Sequence, residues 1–358
     1  SMSQVIYQNG FSGGNVKLPP SKSAAHRAVL CAALSGGACT VSNLDWSDDI
    51  AATCRGVQAL GAKADFDRAR GVLSLDSSGL LGSRGEIDCG ESGSTLRFLI
   101  PVAAALGGFW RFVGRGRLPQ RPLGVYADLL PKHGVTFHTE GGLPLTIEGK
   151  LEAGEYRLPG NVSSQFITGL LFALPLLSGE SSIVLTSPLE SKGYVDLTTS
   201  MLRNFGVDVA ETEQGWRVPG GQRFQAQNIF VEGDWSQAAF FLSMAALSPE
   251  GAKVRLHGLD RDSMQGDKAC VELFRKFGVN VEWADGVLEA WNPRAAEPFG
   301  GLCGFQIDAA QIPDMVPALA VCAALSRGET RIVHAERLRL KESDRLAAME
   351  TALNHLGG

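Results

Sequence analysis

Five short segments place hydroxylic, acidic and basic side chains where apolar helical runs begin: SKSAAHR (21–27), ESGSTLR (91–97), VSSQF (162–166), GDWSQAA (233–239) and IPDMVPA (312–318). Each therefore reads as the amino-terminal turn of a helix. Such a turn exposes backbone N–H groups and the positive end of the helix dipole, and one favourable charge there contributes roughly 0.3–1 kcal/mol. Ser, Thr and Asp are also ordinary helix caps, and taken singly each turn supports that plainer reading. The basic residues add weight to the other. Lys22, Ser23 and Arg27 share one helical turn or its lip, and cations at that end oppose the dipole, an unfavourable arrangement that a bound anion offsets. Arg97 follows a Gly-Ser-Thr turn, and Arg121 lies in GRGRLPQRP, where neighbouring prolines limit the loop. KESDR sets Glu342 between Lys341 and Arg345 at helical spacing, a pattern equally expected of a solvated helix face. Together these residues describe a pocket for a polyanion.

The elements that must position them recur. An apolar helix closing on glycine appears at Gly36, Gly107, Gly179, Gly251 and Gly328, and a second series, each followed by an alternating strand, closes at Gly61, Gly134, Gly206 and Gly278. Both series repeat at about 72 residues, and glycine suits the left-handed position that ends a helix. Each repeat reads as helix, strand, helix, strand, strand, so the fold class is α/β. The fifth repeat runs through TRIVHAE into a helix over KESDRLAAMETALNHLGG. It lacks the hairpin that should follow Gly357, which leads us to expect that the natural protein continues through the rest of this repeat and a sixth.

Composition bounds the function. The chain has 358 residues, 44% hydrophobic and 20% charged, enough for two packed domains. A net charge of -5 supplies no basic footprint for nucleic acid. The apolar runs fall short of the roughly 20 residues a membrane span needs, and the polar amino terminus has no signal pattern, so the expected location is cytoplasmic. Seven cysteines without a C-x-x-C pair argue against a disulfide framework or a zinc site.

The segments LPPSKSAAHRAVL, GESGSTLRFL, LPQRPLG, LPGNVSSQFITGLL, SKGYVDLT, EGDWS, IPDMVPALA and LKESDRL follow one another in this order. That order resembles the 5-enolpyruvylshikimate-3-phosphate synthases over about residues 15 to 357, and the combination of SKS-x-x-x-R, VSSQF and KE-[ST]-DR is specific. The resemblance implies a two-domain inside-out α/β barrel of repeated βαβαββ units, with substrates in the cleft between domains. Residues 21–228 would form one domain of three repeats. Residues 1–20 plus 229–358 would form the second, holding about one and a half repeats. The implied reaction transfers the enolpyruvyl group of phosphoenolpyruvate to the 5-hydroxyl of shikimate 3-phosphate and releases phosphate, in the route to chorismate and aromatic amino acids, by a monomer without metal or organic cofactor. Carried over residue by residue, shikimate 3-phosphate would be held by Lys22, Ser23, Arg27, Ser163, Ser164, Gln165, Ser191, Asp314, Arg337 and Lys341, with Tyr194 packing beside them. Phosphoenolpyruvate would meet Lys22, Gly93, Arg121, Gln165, Lys341 and Arg345. Asp314 would draw the hydroxyl proton, while Glu342 and Lys22 would exchange protons at the enolpyruvyl side.

Two departures qualify the match. Glu91 and Arg337 stand where Asn is the more familiar residue in these motifs, and Arg337 is expected to offset the charge of Glu91. The family's Asp-His-Arg element and a later Lys would fall beyond Gly358, so this 358-residue form is expected to turn over weakly or not at all. The sister transferase acting on UDP-N-acetylglucosamine is disfavoured, because GRGRLPQRPLG lacks that family's loop cysteine and SKSAAHR replaces its Lys-Asn signature. A non-catalytic phosphosugar-binding module would not need Asp314, Glu342 and Lys22.

Overall fold

The computed structural model describes residues 13–79 and 81–335. Arg337, Lys341, Glu342, Arg345 and the helix expected over KESDRLAAMETALNHLGG lie outside them. The chain divides into two compact units: Lys22–Val231, and the residues up to Ser21 together with those from Glu232 onward.

Within Lys22–Val231 the described residues form three four-stranded sheets with one common order. The first runs Ile229–Phe230, Ala38–Ser42, Val72–Asp76, Lys63–Asp67; the second Arg84–Asp88, Phe109–Val113, Leu145–Gly149, Val135–Thr139; the third Glu155–Leu158, Ser181–Leu185, Gly215–Val218, Ala210–Glu211. In each, the first pair is parallel and the next two pairs are antiparallel. In each repeat a helix leads into the second strand of the parallel pair: α1 (Lys22–Leu34), α2 (Gly93–Leu106) and α3 (Ser164–Ala173). The opening strand of the first sheet comes from the far end of the unit, where Val231 donates its N–H to the Ser42 carbonyl at 3.0 Å. Ile229 and Phe230 therefore belong to this unit, and the chain leaves it only after Val231. The repeat is βαβαββ.

The second unit repeats the pattern in Gly14–Lys17, Val254–His257, Val287–Trp291 and Asn280–Ala284, its opening strand supplied by the amino-terminal segment. Gln306–Asp308 and Arg331–Val333 pair in parallel, with the helix Val316–Ala324 between them. Where the chain returns to this unit, Ser21 donates its N–H to the Glu232 carbonyl at 2.8 Å, and Asp234 donates to Pro19 at 2.9 Å.

Burial explains why helices lie inside and sheets outside. α1 is buried continuously from Ala24 to Leu34, α2 from Phe98 to Ala105 and α3 from Phe166 to Ala173. A helix apolar on every side must be enclosed. The strands instead alternate, as in Phe109–Val113, where only Trp110 and Phe112 are fully buried, so each sheet turns one face inward and one to solvent. Gly61, Gly134, Gly206 and Gly278 all take positive φ, as their helix-closing role requires. Gly179 is not among the residues at positive φ, because the 3₁₀ turn Leu174–Leu176 already ends its helix.

α2 and α3 pack closely at Gly169. A Cβ there would stand 2.5 Å from the Tyr126 hydroxyl and 3.1 Å from Pro101 Cγ, besides striking the Arg97 carbonyl. The Tyr126 hydroxyl itself bridges the two helices through the carbonyls of Arg97 and Phe166, at 2.7 and 2.9 Å. Gly169→Ala should lower the unfolding free energy by about 1–3 kcal/mol through overpacking, read as a lower urea midpoint with an unchanged far-UV spectrum. An unshifted midpoint would show that the helices yield at this contact.

Candidate functional site

The starts of α1, α2 and α3, joined by α4 (Lys192–Asn204), surround one cavity of ≈ 390 Å³ within the Lys22–Val231 unit. Ser23, Arg27, Ser163, Ser164, Gln165, Ser191 and Tyr194 all line it, together with His26, Ser94, Phe98, Asn161, Val162 and Glu190. Sequence reasoning passed over His26, Phe98, Asn161 and Glu190. The first stands inside SKSAAHR and Asn161 directly precedes VSSQF, whereas nothing in the local pattern marks Glu190.

Arg27 is 3% exposed. Its Nε donates to Thr198 Oγ1 at 2.8 Å, Nη1 to the Ser23 carbonyl at 2.9 Å, and Nη2 to the Tyr194 carbonyl at 3.2 Å and Thr168 Oγ1 at 3.5 Å. Phe98 lies beneath the guanidinium, 5.3 Å from ring centroid to Cζ. All these acceptors are neutral, and among the described residues no carboxylate comes within ion-pair distance. Burial lowers the guanidinium pKa to about 10, which leaves it charged at neutral pH. Sealed away from water without a counter-charge, it biases the cavity above it toward anions. His26 adds no charge: burial first, then Arg27 and Lys22, bring its pKa down to about 3.

The hydroxyls play two parts. Ser163 Oγ accepts the Gln165 N–H at 3.3 Å and caps α3, so the plain capping role is realised there while the residue also lines the cavity. Ser191 sits in the left-handed region at φ 53 and its side chain does not cap α4. A non-glycine residue in that conformation at a cavity wall marks a locally constrained backbone.

A second basic cluster adjoins the first through Gln165. The position a Cβ would take on Gly93 is 3.4 Å from Arg121 Nη1, 3.7 Å from Arg97 Nη1 and 3.8 Å from Gln165 Oε1. Arg97 Nη1 donates to Gln165 Oε1 at 2.6 Å, and Gln165 Nε2 donates to Ser94 Oγ at 2.7 Å. Burial, then the charge of Arg121, lowers the Arg97 pKa. Two guanidiniums held close together beside a glycine suit a small ligand with carboxylate and phosphate groups. Lys22 is exposed at the start of α1 and is not part of the cavity wall. Lys192, inside the SKGYVD motif, is tied to Asp196 at 2.8 Å and Glu211 at 3.4 Å. Glu91 lies against Gly116 of the basic loop, while the Arg337 expected to offset it lies outside the described residues.

In the second unit, Asp314 stands in the 3₁₀ turn Pro313–Met315, which leads into the helix Val316–Ala324. Its charge raises the pKa of two neighbouring carboxyls. Asp234, already raised mainly by burial, caps its own helix by accepting the Ser236 N–H at 2.9 Å. Asp267 is pushed up to about 7 by burial, then by Asp314 and Asp234. Among the described residues no group of His, Cys, Asp or Glu is arranged to hold a metal, and no helix is long and apolar enough to cross a membrane.

The inside-out arrangement of βαβαββ repeats is that of the enolpyruvyl transferases. EPSP synthase from Acinetobacter baumannii superposes with a TM-score of 0.76 at 27% identity, covering 96% of this chain and 78% of that one. The enolpyruvyl transferase NikO from Streptomyces tendae shares the fold, with a TM-score of 0.67 at 17% identity over 94% of this chain and 78% of its own. The family model for EPSP synthase (3-phosphoshikimate 1-carboxyvinyltransferase) matches residues 9–358, and the chain belongs to that family. The 3-phosphoshikimate 1-carboxyvinyltransferase of Clostridium kluyveri is 47% identical over 347 residues, 96% of this chain and 79% of that protein. The enzyme of the same description from Clostridium perfringens strain 13 is 44% identical over 358 residues, 99% of this chain and 82% of that protein.

The carboxyl cluster yields a signed pH dependence. A carboxyl whose pKa is raised on folding binds more protons in the folded state between its ordinary value of 3.8 and about 7, so stability falls as pH rises through that window. Asp267→Asn should remove this contribution and gain on the parent, by on the order of 1 kcal/mol at pH 8. Parallel urea-stability profiles for parent and variant from pH 4 to 8 would refute the coupling.

Proposed function

We propose that the two clusters just described are the substrate subsites of the family's transfer, with shikimate 3-phosphate in the cavity over Arg27 and phosphoenolpyruvate at Gly93, and that this 358-residue form turns over weakly or not at all. The convergence of Ser23, Arg27, Ser163, Ser164, Gln165 and Ser191 on one cavity of ≈ 390 Å³ carries this reading. The phosphate of shikimate 3-phosphate sits at the Ser163 and Ser164 hydroxyls and the N-terminus of α3, and Ser23, Gln165 and Ser191 take the ring hydroxyls and remaining phosphate oxygens. Arg27 acts chiefly through its charge, since most of its donors are already used within the protein. Arg121, Arg97 and Lys22 take the phosphate and carboxylate of phosphoenolpyruvate.

The 5-hydroxyl oxygen bonds to the enol carbon while the methylene carbon gains a proton, giving a tetrahedral intermediate. That intermediate then loses phosphate and one methyl proton, restoring the double bond. The remaining roles are those the family resemblance implies: Asp314 takes the hydroxyl proton, Glu342 and Lys22 move the proton at the methylene carbon, and Arg337, Lys341 and Arg345 complete the binding of both substrates. Positioned acids and bases of this kind contribute about 10²–10⁴ in rate. The reaction balances without an oxidant or reductant. We further read Lys22–Val231 as a three-repeat domain, the rest of the chain as a second domain, and the protein as a cytoplasmic monomer.

Calorimetric titration tests the assignment at two points. Ser163→Ala combined with Ser164→Ala should weaken shikimate 3-phosphate binding by at least about tenfold, the loss of one or more charge-assisted hydrogen bonds. Gly93→Ala should leave that binding unchanged and weaken phosphoenolpyruvate, because the new methyl occupies the space between Arg121, Arg97 and Gln165. Undiminished shikimate 3-phosphate affinity in the double variant would remove the phosphate from this cavity.

A further inference from the structure

Four buried polar side chains of the Lys22–Val231 unit form a single file. His26 Nδ1 is 2.8 Å from Thr53 Oγ1, Thr53 Oγ1 is 2.7 Å from Thr95 Oγ1, and Thr95 Oγ1 donates to Ser92 Oγ at 2.7 Å. Ser92 Oγ also accepts the Thr95 N–H at 3.1 Å, which caps α2. Their exposures are 4, 0, 0 and 1% in that order, so each group must be satisfied inside the protein.

The polarity of the file follows from counting hydrogens. Thr95 has one hydroxyl hydrogen, directed to Ser92 Oγ with the Asp49 carbonyl as a longer acceptor at 3.5 Å. Thr53 must then donate to Thr95, which leaves Thr53 only lone pairs to offer His26. His26 is therefore the donor, protonated on Nδ1 and bare on Nε2. A neutral ring is required, and burial beside Arg27 and Lys22 keeps it neutral. One end of the file lines the ligand cavity. The other holds the turn that presents Gly93 to Arg97 and Arg121 and Ser94 to Gln165.

We propose that His26 is a positioning residue for the Ser92–Gly93–Ser94 turn, acting through Thr53 and Thr95, and that the phosphoenolpyruvate subsite depends on this one-way hydroxyl relay. The proposal rests on the functional reading above for the identity of that subsite. A merely structural threonine cluster would affect folding alone. The relay fixes where the backbone of Gly93 stands relative to its two guanidiniums, so breaking it acts selectively on the ligand bound there.

Long-range ¹H–¹⁵N spectra of the histidine-labelled chain should show His26 with a protonated Nδ1 and a bare Nε2, unchanged from pH 5 to 8. Thr53→Val should release that tautomer and weaken phosphoenolpyruvate, titrated in the presence of shikimate 3-phosphate, by about tenfold, the worth of one net hydrogen bond. Affinity for shikimate 3-phosphate alone should stay within about twofold. Thr53→Ser, and His26→Asn whose amide nitrogen replaces Nδ1, should both restore phosphoenolpyruvate binding. A protonated Nε2 with a bare Nδ1, or unchanged phosphoenolpyruvate affinity in Thr53→Val, overturns the proposal. If the parent fails to bind shikimate 3-phosphate, the functional reading falls, and the nitrogen shifts still decide the relay.

Discussion

A charged guanidinium enclosed by neutral oxygens is the constraint on which the Lys22–Val231 unit turns. Arg27 lies at the foot of α1, yet it reaches Thr168 on α3 and Thr198 and Tyr194 on α4, so one side chain fixes the relative placement of three helices. Burying an ion this way is expensive, and well-packed apolar residues often serve stability as well or better. Its retention makes sense where the field of that ion is used. The starts of α1, α2 and α3 meet at the same cavity, each contributing the positive end of a dipole, and Arg27 adds a full charge below them.

The repeat topology makes the convergence possible. Each sheet opens with a parallel pair, so the helix leading into its second strand starts from the same end of the sheet. Three such repeats side by side aim three helix starts at one place. Because these helices are apolar on all sides, they occupy the interior and the sheets enclose them. Function at the helix starts and burial along the helix bodies are then two consequences of one arrangement. Supplying the first sheet with Ile229–Phe230, after two further repeats have been threaded, closes the set.

Much of this was legible in the residues alone. The two glycine series gave the repeat length, because closing a helix in the left-handed region restricts the residue type so strongly. Gly179 shows the limit of the rule: a proline-containing 3₁₀ turn can end a helix before the glycine arrives. The turns that meet at the cavity were visible as basic and hydroxylic segments, since their composition departs from what capping needs. Contacts between repeats left no local pattern. Nothing adjacent to Thr168 or Thr198 announces that they accept from Arg27, and Glu190 joins the cavity wall without any motif. Thr53 lies in the amphipathic second helix of its repeat, where a buried threonine looks like an ordinary core residue.

Gln165 illustrates why local pattern cannot assign such a site. In the sequence it is one polar residue of a VSSQF turn, equally suited to a cap or a ligand. In the structure its amide oxygen accepts from Arg97 and its amide nitrogen donates to Ser94, so both ends of the side chain are committed and its orientation is fixed. A rotation of that amide would set an N–H against Arg97 and a carbonyl oxygen beside the Ser94 hydroxyl, breaking the charge-assisted bond while retaining only the second. The residue thus transmits the position of the α2 start to the wall of the cavity under α3. The two basic clusters thus share one oriented amide, and moving either displaces a group on which the other depends.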